Sequence, residues 1–560
     1  MNSNRKAPGF VSGPKMVIGY LGIFLVLIGF LTALPLLLLT FYPSEAECWS
    51  YFAYPALADV LLGLVLYFCF LFRRKRANFA RNENNALLIL IWIIAVLSGA
   101  FPFFLAFYFS KMSMTFSESF FESASAYSTT GLTCFKDFVD GRFVFDSTPA
   151  FYHFQEGASF CPHVYCYHRA QMQFVGGVGL VLLLSMVLGN SGGMSLYVGE
   201  GHGDRLLPNL RRSAGRIFAI YIFYTAVGSV ALFLAGMEPY DAVVTSMAAL
   251  SGGGFSPRSS NIAFYSTPGV GNGFWGASSL AIEIIVMLLV ILSGISFFLH
   301  TFLLSGRWKD FFKDDEVRFF LAMLLLSFLV SLTGALFEQQ NVLGKAFFDD
   351  LPTNIRDVIF YVVGAETTSG FANTSLSEMT SLGRPLIYLC TILMLFGGGA
   401  GSCGGGIKQY RVCILAKDLW YRLRYQNSPS RILHPHQTFR YGKEKELDSA
   451  TVKEASQYSV LFLSFFAVSV ALLSFLPEID TEIASFDVAS AMSNTGLSVI
   501  DFVYYGAAHP VYYEVLIWVL AIGALLGRLE IFPLFYGVSC VGEEISYYSK
   551  KKKEKARLAD

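Results

Sequence analysis

Charge is scarce in this chain: 15% of its 560 residues are Asp, Glu, Lys or Arg, against about 25% in soluble globular domains. Hydrophobic residues make up 54%, Phe alone numbers 54, and the net charge is zero. No global charge points to a nucleic-acid partner. Catalytic signatures are missing as well. There is no GxxxxGK(S/T) phosphate loop and no HExxH, and Ser402 stands in a glycine run without a nearby histidine, unlike a nucleophile elbow. No enzyme activity and no organic cofactor is expected. The nine cysteines contain no CxxC pair. Cys161 and Cys166 flank His163, with His153 and His168 close in sequence. A metal site there is conceivable, but a local disulfide or free thiols are the plainer reading.

Apolar length is what the chain has instead. About 20 apolar residues cross ~30 Å of hydrocarbon. Ten runs qualify, at roughly 16–42, 50–72, 86–110, 168–190, 213–236, 277–303, 316–338, 384–407, 454–477 and 511–538. The first is longer than a signal-peptide core of about 7–15 residues and predicts a retained helix. With both termini cytoplasmic, inward segments carry 32 Lys and Arg, outward segments carry 8, and Arg528 is left inside a helix. That asymmetry follows the positive-inside rule. It places Cys48, Cys134, Cys161 and Cys166 outside, where disulfides persist. The expected fold is an all-α membrane protein with ten transmembrane helices.

Four short stretches recur along it: Ser128-Thr129-Thr130-Gly131, Ser251-Gly252-Gly253-Gly254, Thr367-Thr368-Ser369-Gly370 and Ser493-Asn494-Thr495-Gly496, each followed by Leu or Phe. The final glycines are 123, 116 and 126 residues apart. Every stretch lies in an outward connection between two long runs. Each follows a moderately apolar segment: Phe116–Tyr127, Tyr240–Leu250, Arg356–Glu366 or Ile483–Met492. At about 1.5 Å per residue such segments reach half the hydrocarbon thickness, as re-entrant pore helices would. The expected organisation is two N-terminal helices in 1–85, then four helix–pore loop–helix repeats at 86–190, 191–303, 304–421 and 454–560, in pseudo-fourfold arrangement. A linker at 422–453 reads as a solvated amphipathic loop or a docking surface. The tail Lys550-Lys551-Lys552-Lys553 suits anionic membrane lipid.

A dehydrated monovalent cation needs inward-turned carbonyls and no occluding side chain. Glycine permits the positive φ such a strand requires, and the short helices aim their negative ends at a cation. No acidic ring stands at Gly131, Gly254, Gly370 and Gly496. The sixteen stretch residues are therefore candidate filter residues, with the transported ion at Thr130, Gly131, Gly253, Gly254, Ser369, Gly370, Thr495 and Gly496. Gly252-Gly253, where the other stretches carry Ser, Thr or Asn, predicts a looser wall in the second repeat.

Between 397 and 406 seven of ten residues are glycine: Gly397, Gly398, Gly399, Gly401, Gly404, Gly405 and Gly406. At about 1 kcal/mol per interior glycine a helix breaks there, and the freed backbone must face water or protein. That makes the run a candidate gate. Arg528, inside an apolar helix, must face an interior or cavity. It either caps carbonyls and fixes packing, or stands at the pathway against the glycine loop; the two are compatible. Of three further acids, Asp59 predicts packing or a helix–helix hydrogen bond, Glu283 a solvated interface position, and Glu366 a role beside the third stretch, biasing cation entry or holding the filter.

These residues resemble the Trk/Ktr/HKT superfamily of potassium transporters over roughly 86–545. Besides the four stretches, Gln173-Phe174-Val175-Gly176-Gly177-Val178-Gly179 resembles the family's Gln-aromatic-x-Gly-Gly-x-Gly element. The run from Phe396 to Lys408 resembles its glycine loop, and Gly527-Arg528-Leu529-Glu530 its last-helix element. Two extra N-terminal helices point to the bacterial Trk branch. The resemblance implies potassium uptake across a bacterial inner membrane, passive or by symport, with potassium rather than sodium favoured by Gly131. It also implies a homodimer bound to a cytoplasmic nucleotide-binding regulatory subunit. A sodium-selective or weakly selective pore, or a secondary transporter for solute and cation, are the alternatives.

Overall fold

The computed structural model describes residues 10–11, 13–72, 75–76, 81–110, 114–134, 137–139, 142–144, 162–180, 210–258, 261–266, 278–341, 351–374, 384–426 and 436–529. Almost all of them are helical, with three two-stranded pairings as the exceptions. Seven helical segments among the described residues are long and apolar enough to cross a membrane, or eight if one bent pair counts as a single span.

Helices α1 (Pro14–Ala33) and α2 (Trp49–Phe70) form a close pair. A Cβ on Gly22 or Gly63 would lie 2.6 Å from the other's carbonyl oxygen, so small residues set the approach of the two backbones. Asp59 of α2 accepts a hydrogen bond from Ser98 of α3 (Arg81–Ser110), the helix–helix bond expected of it.

Four sets of long helix, short helix and second helix follow. The first continues from α3 through α4 (Phe116–Tyr127) and α5 (Pro162–Val178). The second has α6 (Leu210–Leu234), α7 (Pro239–Ser251) and α8 (Ser279–Gly294), which bends by 114° into α9 (Phe297–Leu304). After the short α10 (Trp308–Lys313), the third has α11 (Asp315–Asn341), α12 (Leu351–Glu366) and α13 (Arg384–Phe396), with α14 (Gln409–Tyr425) beyond the glycine run. The fourth has α15 (Ser449–Leu473), α16 (Thr481–Met492), α17 (Phe502–Ala508) and α18 (Pro510–Arg528). A capping box starts α4: Thr115 accepts the N–H of Glu118, whose carboxylate accepts the N–H of Thr115.

Packing runs in a circle. The second helix of each set lies against the short helix of the next: α5 on α7, α8 on α12, α13 on α16, and α18 back on α4. The outer faces are apolar and exposed, as with Val227, Val230 and Leu234 on α6 or Leu325, Leu326 and Leu329 on α11.

Two expectations change and one is met. The run 277–303 is two helices meeting at Ile295-Ser296, where small and polar residues interrupt the apolar sequence. The run 384–407 stops as helix at Phe396, the break that its glycines predict. The linker is not a plain loop. Residues 422–425 finish helix α14, and Gln437–Arg440 pairs antiparallel with Lys443–Glu446. The runs 168–190 and 511–538 extend past the described residues, as do Glu530 and the lysine tail.

Candidate functional site

All four short helices end alike. The N–H of Thr129 bonds to the carbonyl of Ala126 (3.0 Å) and that of Thr130 to Ser125 (2.8 Å). The same pair recurs as Gly252 to Ala249 (3.1 Å) with Gly253 to Ala248 (3.0 Å), and as Thr368 to Ala365 (3.3 Å) with Ser369 to Gly364 (2.9 Å). It closes with Asn494 to Ala491 (3.1 Å) and Thr495 to Ser490 (2.8 Å). This Schellman cap places one left-handed residue after the helix. Thr129, Gly252, Thr368 and Asn494 fill that position at φ 61°, 66°, 54° and 57°. Three are not glycine, each at a strain of about 1 kcal/mol or more.

The backbone turns left-handed again at Gly131, Gly254, Gly370 and Gly496, with φ of 92°, 69°, 68° and 94°. Here the stretches meet. A Cβ on Gly131 would strike the carbonyl oxygen of Gly253, one on Gly254 that of Ser369, one on Gly370 that of Thr495, and one on Gly496 that of Thr130. Each third-position carbonyl thus abuts the final glycine of the preceding stretch, and the fourth stretch closes on the first. Side chains brace the ring locally. Ser128 and Thr130 share a hydroxyl bond of 2.7 Å, and Ser493 and Thr495 one of 2.6 Å. Asn494 donates to the Thr130 hydroxyl (2.9 Å) and to the carbonyl of Ala524 (2.8 Å), joining the fourth set to the first.

The second stretch is not left loose. Gly252 takes the left-handed position where glycine is relaxed. Beside Gly253, where the other stretches carry Thr130, Ser369 and Thr495, the amide of Gln173 occupies the space. Its Nε2 donates to the Gly253 carbonyl (2.6 Å) and its Oε1 accepts the N–H of Phe255 (3.3 Å).

Sequence reasoning passed over one buried acid in each short helix. Glu122 accepts from the Thr133 hydroxyl (3.0 Å), the Cys134 N–H (3.2 Å) and Arg169 Nε (2.6 Å). Asp241 holds Arg258 Nε (2.6 Å), Asp357 accepts from Asn373 (2.8 Å), and Asp487 accepts from Ser498 (2.7 Å) and the N–H of Val499 (2.9 Å). In every set a carboxylate grips the chain just after its glycine. An acid inside each moderately apolar segment, nine residues before Gly131 and Gly496 and thirteen before Gly254 and Gly370, was the signal that could have found them.

The glycine run 397–406 folds under this ring. The N–H of Gly405 bonds to the Thr368 hydroxyl (3.0 Å), and a Cβ there would strike the backbone of Ser493. The N–H groups of Gly399 and Cys403 bond to the carbonyls of Gly294 (2.8 Å) and Ser293 (3.1 Å), which the bend between α8 and α9 leaves open. Arg528 joins the run to α5, donating to the carbonyls of Cys403 (2.7 Å), Gly176 (2.5 Å) and Gly177 (3.2 Å). Arg528 therefore caps carbonyls, and one of them belongs to the glycine loop. Glu366, buried beside the third stretch, accepts from Gln409 Nε2 at 3.2 Å, just past the run.

The N-terminal end of α11 holds the run from the other side. Glu316 accepts the N–H of Ala400. Its neighbours carry the hairpin 437–446: Asp314 accepts the N–H of Tyr441 (2.8 Å), and Asp315 accepts the N–H of Phe439 (2.5 Å) and the Thr438 hydroxyl (3.0 Å). Burial pushes the Asp314 carboxyl up, against the N–H bonds from Tyr441 and Glu316.

Two further expectations are corrected. Glu283 is not solvated: it is fully buried, accepts from Ser279 (3.0 Å) and faces Arg356 Nε at 3.4 Å, because α12 covers α8. A disulfide between Cys161 and Cys166 is not formed, since Cys166 is a buried free thiol, while Cys48 is disulfide-bonded. Among the described residues no cluster of His, Cys, Asp and Glu could hold a metal ion. His163 instead pairs with Glu45 (2.6 Å), and His168 with the carbonyl of Gly99 (3.2 Å). His153 and Cys161 lie outside the described residues.

Known proteins share this architecture. A family described as cation transport protein, TrkH, matches residues 68–541. A Trk system potassium uptake protein, TrkH, of Salmonella typhimurium is 28% identical over 476 residues, 82% of this chain and 86% of its own length. An uncharacterized cation transporter of Methanocaldococcus jannaschii is 27% identical over 86% of this chain and 87% of its own. The crystal structure of the potassium transporter TrkH from Vibrio parahaemolyticus superimposes with a TM-score of 0.72 at 23% identity, covering 93% of this chain and 97% of that one. The chain is thus a multi-pass membrane protein rather than an enzyme, and it belongs to the TrkH family of cation transport proteins.

Proposed function

We propose that this protein takes up potassium across a bacterial inner membrane, through an opening enclosed by its four glycine stretches. The observation that carries the reading is the closed cycle of contacts in which each final glycine meets the third-position carbonyl of the next stretch. Such a cycle gathers the carbonyls of Thr130, Gly253, Ser369 and Thr495 with no charged side chain among them, the chemistry that replaces a cation's water. Ten transmembrane helices surround it, two leading ones and four helix–pore loop–helix repeats in pseudo-fourfold order, with both termini cytoplasmic. The cyclic packing of second helices on short helices supports that order.

The run 397–406 is the gate. It is tied to Thr368 above, to Arg528 at its side and to Glu316 on the inward side, and its glycines let it move with little steric cost. A homodimer bound to a nucleotide-binding regulatory subunit would act on it from the inward face, through the hairpin 437–446. The potassium uptake named for the Salmonella relative supports the choice of ion.

The test is rubidium uptake into liposomes holding the purified protein, with the reversal potential measured in mixed potassium and sodium. Many ions per protein with potassium preferred is the expected result. Equal permeability would make it a weakly selective pore, and solute-dependent transport without ion current would sink the reading.

A further inference from the structure

At the inward end of α11, a cavity of about 510 Å³ opens between that helix, α14 and the start of the hairpin. Its lining includes Arg318, Lys417, Arg424, Trp420, Tyr421 and His436. Asp315 is the one acid in the lining, and Lys417 holds it at 2.5 Å. Arg318, Lys417 and Arg424 thus face a single carboxylate, and the lining carries net positive charge; Arg318 Nε also donates to the carbonyl of Phe312 (2.9 Å).

The surroundings are those of a membrane surface. On α14, Leu419, Trp420 and Leu423 are 59%, 66% and 61% exposed, beside the basic residues of the same helix. That is the pattern of an amphipathic helix lying in the headgroup layer, with tryptophan at the interface. From Arg318 the exposed side chains Leu321 and Leu325 lead along α11 into its apolar span at helical spacing. A cationic cavity continues directly into a lipid-facing stripe.

We propose that this cavity binds the headgroup of an anionic phospholipid, with Arg318 and Arg424 on the phosphate, Trp420 at the glycerol level and the acyl chains along Leu321 and Leu325. Free phosphate would satisfy the arginines but leave the exposed apolar residues uncovered, so the lipid is favoured. The assignment rests on the inward orientation proposed above. Lys417 also bonds Asp315, which carries the hairpin, and the adjacent Glu316 holds the glycine run. A lipid here sits on the structure that tethers the candidate gate.

Quenching of Trp420 fluorescence tests this, using the full chain in vesicles of brominated-chain phosphatidylglycerol or brominated-chain phosphatidylcholine diluted in ordinary phosphatidylcholine. The Trp420 component is obtained by subtracting Trp420→Phe. Quenching is expected at far lower mole fraction with the anionic lipid. Each lost arginine weakens that preference about fivefold and R318Q/R424Q about thirtyfold. Arg422→Gln, on the same helix but outside the cavity lining, keeps the preference and controls for folding. Equal quenching by both lipids would overturn the proposal, as would an equal loss in Arg422→Gln. Displacement of the anionic lipid by inorganic phosphate would make it a free-anion site, and absence of quenching by either lipid would mean that protein covers the cavity. No ion flux enters the measurement, so its failure is separable from failure of the uptake reading.

Discussion

Gln173→Ala tests the most specific feature of the ring. In the second stretch the side chain beside the third position comes from α5, not from the stretch itself. The substitution removes the 2.6 Å bond to the Gly253 carbonyl and leaves the N–H of Phe255 without its acceptor at 3.3 Å. Gln173 is fully buried, so the unmet N–H alone costs about 1–3 kcal/mol. A cavity also opens beside a glycine that cannot fill it. One of four carbonyls is then free to reorient, and a site that tells two cations apart by carbonyl geometry loses part of its discrimination. If about 2 kcal/mol of positioning disappears, the potassium-to-sodium permeability ratio falls by up to about thirtyfold, at about 1.4 kcal/mol per factor of ten. The assay is the bi-ionic reversal potential of the purified protein in bilayers. Gln173→Glu keeps the size but removes the donor, and it should lose selectivity without opening a cavity. Wild-type selectivity in both variants, with rubidium uptake intact, would refute the assignment of Gln173 to the ring.

Three further outcomes follow from the contacts beneath and beside it. Arg528→Gln loses charge-assisted bonds to Cys403, Gly176 and Gly177, each worth about 1.5–3 kcal/mol; rubidium uptake without any regulatory partner should rise severalfold, and an unchanged rate would remove Arg528 from gating. Glu316→Ala frees the N–H of Ala400; amide exchange across 397–406 should speed up at least about tenfold, and unaltered protection there would contradict the tether. Gly63→Leu drives a side chain into the Gly22 backbone, which should cost about 1–3 kcal/mol and lower the thermal midpoint in detergent, whereas Leu62→Ala, 53% exposed, should leave it unchanged.

Much of this molecule could be read from its residues because membrane constraints are strong and local. Apolar length and the phase of four glycine stretches are properties of segments, and lipid leaves few backbone solutions for such segments. The break after Phe396 was legible for the same reason, since seven glycines in ten residues cannot hold a helix. The bend after Gly294 was missed because a single Ser-Gly-Ile-Ser interruption is a weak local signal. Glu283 was misplaced because its exposure depends on α12, which is distant in sequence.

The sequence by itself determined the long apolar runs, the four stretches and the final glycines that take left-handed backbone in each. Only tertiary structure decided that these stretches meet head to tail, that Gln173 stands in for a missing side chain, and that Arg528 and Glu316 hold the glycine run from two sides. The physical reason is range. Helix length and backbone conformation follow from neighbouring residues, whereas each of those contacts joins residues about 80 or more positions apart, and only the circular packing of α5, α8, α13 and α18 brings them together.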